Sequence, residues 1–286
     1  MKHTTRLILI GLAFAGALAL TPATLVAQGT APGASQAAEA NPAKALPNSA
    51  VPAEDQWHFR TDPLLWFAQI HGDATVLGHQ ADVNVSFDQI VNHLEGPPLM
   101  AYLEARQDKF GFFAQPIYMK LRADANVGPL NGSDTLALWV VEAGGFYQLV
   151  KWGEEKPLTI EAVAGARYWN LYNNLNLHGP DGHLVFSGSK TIILTDAIVG
   201  LRGSKHLTDK LSLNLAGNAG GFGWSSSTTT FSWEATGTVG YDFTRRFSVY
   251  AGYNALGVEK HTGSGASENG ANLVLSGALV VFDFRW

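Results

Sequence analysis

An alternation of apolar and polar residues from Phe231 to Phe243 constrains the fold more than any other feature of the sequence. One face of this segment carries Phe231, Trp233, Ala235, Gly237, Val239, Tyr241 and Phe243, and the other carries Ser232, Glu234, Thr236, Thr238, Gly240 and Asp242. Successive side chains of a β-strand point to opposite faces, so this period of two predicts a strand with one apolar and one wet face. Segments 211–219 and 247–254 repeat the pattern. The chain therefore builds a sheet that separates an apolar surface from a wet one.

The spacing of these segments predicts how many strands there are and how they connect. We predict ten strands, at 63–76, 98–107, 112–122, 135–149, 158–171, 191–203, 210–222, 230–242, 247–259 and 272–286. The second, fourth, sixth and eighth connections are short and polar, and most of the others are longer. This asymmetry, with an even strand count, is typical of closed antiparallel barrels that cross a membrane. The segment 82–87 also alternates, so twelve strands is the alternative; otherwise 79–97 forms a partly ordered first loop.

Aromatic residues near the segment ends favour a membrane barrel over a soluble sheet protein. In a barrel they would form girdles at the two membrane–water interfaces. They are Trp66, Trp139, Tyr147, Tyr168, Trp233, Tyr241, Phe247 and Trp286. Downstream of the N-terminal region no run of eighteen apolar residues occurs, which excludes a helical membrane protein. We therefore predict an all-β, antiparallel transmembrane barrel, and alternation alone leaves a soluble β-sandwich as the competing fold.

The N-terminal region predicts export. Lys2 and Arg6 precede an apolar stretch from Leu7 to Leu20, followed by small residues up to Ala27. This is the pattern of a cleaved secretory signal peptide, and the apolar stretch is short for a membrane-spanning helix. We predict a signal peptide at 1–27, a flexible Ala/Pro-rich periplasmic arm at 28–56 and the barrel at 57–286. The absence of cysteine suits passage through an oxidising compartment.

The last seven residues, 280–286, place aromatic side chains at alternate positions and end on an aromatic residue. This ending resembles the C-terminal strand of bacterial outer-membrane β-barrel proteins, in the small porin-like or OmpA/OmpW-like class. The resemblance implies a location in the cell outer membrane and recognition of Phe282, Phe284 and Trp286 by the barrel-assembly machinery. Outer-membrane lipid and periplasmic chaperones are the other partners expected, and a monomer is expected. The resemblance does not extend to a particular member of the class.

The wet faces of the predicted strands assign a set of charged side chains to the lumen. They are Glu104, Arg106, Lys120, Arg122, Glu142, Glu161, Arg167, Asp196, Arg202 and Glu234. A lumen of about ten strands is little wider than its side chains, and unpaired buried charges are costly. We therefore expect an ion-pair network that plugs the barrel, with a narrow polar path for small hydrophilic solutes as the alternative. The predicted role is structural or weakly porin-like.

Other functions find less support in the sequence. Histidines at 71, 79, 93, 178, 183 and 261 lie in or near loops, but no spacing matches a known hydrolase motif, so an enzyme at the rim is the least favoured reading. The segment 178–183 contains Gly-Pro-Asp-Gly, which is first a turn signal, and no cofactor or metal site is predicted. With 24 acidic and 19 basic residues, the chain is not expected to bind nucleic acid. Adhesion or ligand binding through the extracellular loops remains an alternative.

Overall fold

The structure, a computed structural model, describes residues 56–76, 78–127 and 130–286. The predicted signal peptide, and the predicted arm except for Gln56, lie outside the described residues. Eleven strands and one short α-helix occur in the part described. The strands are β1 (His58–Val76), β2 (His79–Val85), β3 (Leu99–Gln107), β4 (Phe110–Val127), β5 (Leu130–Trp152), β6 (Leu158–His178), β7 (Leu184–His206), β8 (Leu211–Gly220), β9 (Phe231–Asp242), β10 (Phe247–Thr262) and β11 (Asn269–Arg285), and helix α1 is Phe87–Asn92.

Ten of these strands form a closed antiparallel barrel. From β3 onward each strand pairs with the next, and β1 pairs with both β3 and β11, which closes the ring. Strand β2 pairs with residues 70–76 of β1, on the edge of β1 that pairs with β3 at residues 58–63, and it is not one of the ten strands that close the ring. The prediction of a ten-strand antiparallel barrel is therefore confirmed, and the segment proposed as a possible further strand is an eleventh strand that leaves the ring count even. No helix among the described residues is long and apolar enough to cross a bilayer.

The two ends of the barrel differ in their connections. Four short turns, 108–109, 153–157, 207–210 and 243–246, lie at one end, which we call the turn end. The remaining connections lie at the opposite, loop end. Strand β3 is too short to reach the loop end, and α1 fills this part of the wall together with residues 93–95. His93 O accepts a hydrogen bond from Arg122 N, and Glu95 N donates one to Lys120 O, both at 2.7 Å.

Strands β5, β6 and β7 are longer than predicted. They extend past the predicted ends into segments 130–134, 172–178 and 184–190, and the β5–β6 pairing continues to Asn131 and His178. Polar residues occupy both faces of some of this extension, as in Asn173, Asn174 and Asn176, so the sequence there shows no apolar and polar contrast. Backbone pairing between the strands holds these hairpins together, and the apolar–polar pattern of the sequence does not show such pairing. The hairpins project beyond the rest of the wall.

Aromatic pairs on the outer face mark an apolar belt around the barrel. Tyr118 of β4 packs on Trp139 with ring centroids 4.5 Å apart. Phe110, which lies eight residues earlier on β4, is opposite Tyr147. At about 3.4 Å per residue and a tilt of about 40°, the two levels are about 21 Å apart, close to the apolar band of outer-membrane barrels. We call the outer surface between these levels the outer belt. Strand β9 crosses it with Phe231, Val239 and Tyr241 outside and Ser232, Glu234 and Thr238 buried inside.

The inside of the barrel changes character along its axis. Its turn-end half is lined by charged and polar side chains, whereas its loop-end half holds a packed apolar core. Buried side chains of this core come from β1, β2, α1, β4 to β7, β10 and β11. They include Ile70, Val85, Ile90, Met119, Leu121, Leu138, Val140, Trp169, Leu171, Ile192, Leu194, Leu256, Val258, Leu273 and Leu275. Much of the core lies at or beyond the Tyr118–Trp139 level, where the strands project past the outer belt. Packed apolar side chains therefore fill the loop-end half of the barrel, as they fill the interior of a water-soluble domain.

Candidate functional site: a charged cavity in the lumen

The turn-end half of the lumen encloses a cavity of about 570 Å³. Residues near the short turns, including Asp108, Lys151 and His206, line its open end. Apolar side chains that face the loop-end core, among them Trp66 and Ile117, line its inner end. The cavity thus opens at the turn end and meets packed side chains at the other.

A four-member ion network connects β3 to β6 and β7 across the cavity, past the intervening β4 and β5. Arg202 contacts Glu161 at 2.5 Å and Glu104 at 2.9 Å, and Arg106 contacts the same two carboxylates at 2.6 and 3.2 Å. The hydroxyl of Tyr102 donates to Glu104 at 3.0 Å. Two guanidinium groups thus share two carboxylates, and this sharing offsets much of the cost of burying them.

A second network lies beside β3, at the seam where β1 meets β11. Arg60 donates to Asp62 at 2.7 Å through Nε, and Arg285 contacts Asp283 at 2.8 Å. The hydroxyl of Tyr250 donates to Asp283 at 3.0 Å and accepts from Arg285 at 2.7 Å. Asp62 and Asp283 are fully buried, so the charges at this seam are held away from bulk water.

A third network crosses the middle of the lumen around Arg167, which is fully buried. Its guanidinium donates to Glu142 at 2.5 Å, to Ser232 at 2.9 Å and to Asn218 at 2.5 Å, and Glu234 lies 3.9 Å away. The contact of Glu234 with Gln115, at 3.3 Å, joins β9 to β4 on the far side of the ring. Polar side chains therefore bridge the barrel from wall to wall.

The β8–β9 connection, 221–230, folds over the loop end of this network. Asp196 accepts hydrogen bonds from Thr229 N at 2.8 Å, from the Thr229 hydroxyl at 2.9 Å and from Trp169 Nε1 at 3.1 Å. Lys260 donates to the backbone carbonyl of Ser226 at 3.0 Å. A buried carboxylate and a largely buried ammonium thus hold this connection down against the lumen.

Eight of the ten charges assigned to the lumen from the sequence have side chains inside the barrel. Glu104, Arg106, Glu161 and Arg202 form the turn-end network, Glu142, Arg167 and Glu234 the central one, and Asp196 holds the β8–β9 connection.

The assignment of Lys120 and Arg122 to the lumen is wrong. Both lie on the outer face of β4, where Lys120 pairs with Glu95 and Arg122 with Asp124. They stand beyond the Tyr118–Trp139 level, past the outer belt, where the outer surface can be charged. The inner face of β4 here carries Met119 and Leu121, so the polar-inside rule reverses along one strand.

Several cavity residues escaped the sequence analysis. Arg60 and Asp62 precede the predicted start of the first strand. Asp283 and Arg285 lie in the terminal strand, where the prediction rests on the aromatic residues alone. The signal that could have identified them is an opposite pair of charges at i and i+2, which shares one face of a strand. It occurs in Arg60–Asp62 and Asp283–Arg285, as it does in Glu104–Arg106.

Three buried polar atoms in the cavity lining are without a hydrogen-bond partner among the described residues. They are Asp62 Oδ1, Trp66 Nε1 and Arg202 Nη2. Asp62 and Trp66 lie on β1, and Arg202 lies on β7, which is opposite β1 in the ring. All three atoms have almost no accessible surface, so they lie within the wall of the cavity and not on its open surface.

The loop-end histidines do not assemble into a comparable site. His261 lies 3.5 Å from Glu268 and 3.9 Å from Glu259, and His178 and His183 flank an exposed turn. In the described part of the chain, no three histidine or acidic side chains are grouped closely enough to hold a metal ion.

The closed ring, the apolar outer belt and the charged lumen together have the architecture of a transmembrane β-barrel. No family model matches the chain, and no curated protein matches it.

Solved structures of similar fold include the outer membrane protease OmpT from Escherichia coli, at 9% identity and a TM-score of 0.44, covering 81% of this chain and 97% of that one. The translocator domain of the autotransporter NalP from Neisseria meningitidis is 14% identical with a TM-score of 0.36, over 82% and 90% of the two chains. A Pseudomonas aeruginosa FadL homologue is 12% identical with a TM-score of 0.28, over 81% and 89%. Likenesses at this level carry no information about activity.

Proposed function

We propose that this protein is an outer-membrane barrel, closed toward the cell surface, whose lumen binds a small hydrophilic solute that enters from the periplasm. The observation that carries the proposal is the cavity, which opens at the turn end and ends against packed side chains. Outer-membrane barrels place their short turns in the periplasm. That orientation directs the cavity mouth to the periplasm and the apolar core to the outside.

The location follows from the outer belt together with the sequence. Exposed apolar side chains on the belt, such as Leu65, Leu201 and Val239, suit contact with lipid. The signal peptide predicted at 1–27 would supply export, and outward-facing Phe282, Phe284 and Trp286 would supply recognition by the assembly machinery. We expect an assembled monomer that migrates faster on SDS gels before boiling than after it. Identical mobility, with solubility in buffer free of detergent, would contradict the membrane location.

Three layers argue against an open diffusion pore. The Arg167 network bridges the lumen, Asp196 and Lys260 hold the β8–β9 connection over it, and the apolar core fills the loop end. Ten strands also enclose far less space than the sixteen or so of water-filled porins. A ligand site is favoured instead, because a cavity of about 570 Å³ lies within the size range of small-molecule pockets.

Two measurements test this function. In planar bilayers the wild-type barrel should give no steady conductance steps, and steps that Glu142→Gln alters would show a porin instead. A panel of neutral and charged hydroxylated solutes should include at least one that raises the thermal unfolding temperature of the wild type. That effect should shrink in Asn214→Leu, which removes an amide group from the cavity lining. A panel without any stabilising solute would remove the binding role.

Adhesion through the projecting β6–β7 hairpin is a second candidate, because Leu184, Val185 and Phe186 are consecutive, exposed and apolar at its tip. Such a tip is suited to contact with another surface. Replacing the three residues by serine should leave the unboiled gel band unchanged and reduce attachment of expressing cells to host or bacterial cells. Unchanged attachment would remove this candidate.

A further inference from the structure

The mouth of the lumen cavity is strongly cationic. A second space of about 540 Å³ adjoins the cavity at the turn end and shares Arg60, Arg106 and Arg285 with its lining. Arg245, Arg246 and His58 complete the basic lining, and Glu104 is the one acidic side chain in it. We call this space the mouth. An entrance with an excess of one charge sign concentrates solutes of the opposite sign.

The basic side chains of the mouth fall into two groups. Arg60, Arg106 and Arg285 are already paired with carboxylates of the lumen. Arg245 and Arg246 lie on the β9–β10 turn and make no salt bridge or side-chain hydrogen bond to any described residue. The Thr244 hydroxyl accepts hydrogen bonds from Arg246 N at 3.2 Å and Phe247 N at 3.0 Å, which fixes this turn. Two uncommitted guanidinium groups thus stand on an ordered turn at the entrance.

The inner part of the cavity makes a different demand. Gln115, Asn214 and Thr236 line it with partly exposed side chains. These amide and hydroxyl groups both donate and accept hydrogen bonds, as the hydroxyl groups of a solute do. Buried carboxylates of the lumen, such as Asp62 and Glu234, repel a second anionic group at this depth. Hydroxyl groups therefore suit the inner part of the cavity, and a second anionic group does not.

We propose that the ligand of this cavity is a small hydroxylated anion of the sugar-phosphate or sugar-acid class. Its anionic group lies at the mouth against Arg245 and Arg246, and its hydroxylated body lies in the cavity against Asn214 and Thr236. The inference rests on the proposed binding function and specifies its substrate class. A phospholipid headgroup carries similar chemistry, but the mouth shares Arg60, Arg106 and Arg285 with the lumen cavity, so a free solute that enters the cavity is the occupant.

The test uses the full chain refolded in detergent at low ionic strength, with binding measured by calorimetry. Glucose 6-phosphate, gluconate, glucose and inorganic phosphate are the probes, against wild type, Arg245→Gln/Arg246→Gln and the control Arg122→Gln at the loop end. We expect glucose 6-phosphate or gluconate to bind wild type more tightly than glucose or phosphate. The double variant should lose about tenfold or more in affinity, and the control should bind like wild type. Added salt should weaken binding.

The other outcomes separate this inference from the function on which it rests. Equal affinity of wild type and the double variant for glucose 6-phosphate and for gluconate would overturn the anion assignment and leave the solute-binding function standing. Binding of inorganic phosphate as tight as that of the sugar anions would mean an adventitious ion only, and overturn the inference. Binding of no probe would remove both. Stabilisation by phosphatidylglycerol in nanodiscs, without competition from glucose 6-phosphate, would assign the arginines to lipid and overturn the free-solute proposal.

Discussion

Replacing Arg167 by methionine should destabilise the barrel more than any exposed charge substitution. The guanidinium is fully buried and bonds Glu142 at 2.5 Å, Ser232 at 2.9 Å and Asn218 at 2.5 Å, with Glu234 at 3.9 Å. Without it two buried carboxylates lose their cation. Breaking one buried pair by removing a partner costs about 3–5 kcal/mol, and we expect a loss of this size in the free energy of unfolding. Reversible urea unfolding in lipid vesicles, followed by tryptophan fluorescence, measures it.

The matched control is Arg122→Met, because Arg122 is about half exposed and lies 3.6 Å from an exposed Asp124. Surface pairs contribute about 1 kcal/mol or less, so this variant should unfold almost like wild type. Adding Glu142→Gln to Arg167→Met should recover part of the lost free energy of unfolding, because the amide of glutamine leaves no unpaired buried charge at this position. A loss below about 1 kcal/mol for Arg167→Met would refute the reasoning, because it would mean that the central network is not formed in the folded barrel.

Three further substitutions probe other parts of the structure. A side chain at Gly277 would meet the carbonyl oxygen of Phe67 across the closing seam, at 2.0 Å for a Cβ, so Gly277→Val should abolish the compact unboiled band on SDS gels. Asp196→Ala removes the acceptor that holds Thr229, so chymotrypsin added to intact cells should cut within 221–230 faster than in wild type; equal rates would contradict that role. Trp286→Ala should lower the fraction of chain that reaches the outer membrane in cells while in vitro refolding is unchanged, and normal assembly would exclude it from the recognition signal.

The sequence predicts the ring well because turns and alternation coincide. All ten predicted strands occur, and short polar turns such as 243–246 fix the ends at one side. The ends of β5, β6 and β7 were missed because Asn173, Asn174 and their neighbours are polar on both faces. Where a strand extends past the outer belt, neither of its faces contacts an apolar solvent. Its two faces then need not differ in polarity, and the apolar–polar alternation that predicts a strand disappears.

The interior was harder to predict than the wall. Eight charges were placed inside because their strands alternate clearly within the belt, whereas Lys120 and Arg122 lie where alternation reverses. The sequence does not predict the apolar core for a related reason. Ile192, Ile193 and Leu194 are consecutive and all apolar, so the pattern does not show which face of the strand points inward. The unpaired atoms of the cavity depend on which strands face each other across the ring, which local sequence does not show.

Cysteine labelling tests most directly the claim that the lumen opens to the periplasm and is closed to the outside. The chain contains no cysteine, so Asn214→Cys in the cavity lining and Asp181→Cys on the β6–β7 loop would each be the one thiol present. With a membrane-impermeant maleimide, Asp181→Cys should react in intact cells, and Asn214→Cys should react only after the outer membrane is permeabilised. Reaction of both variants at the same rate in intact cells would show a lumen open to the surface and contradict the account.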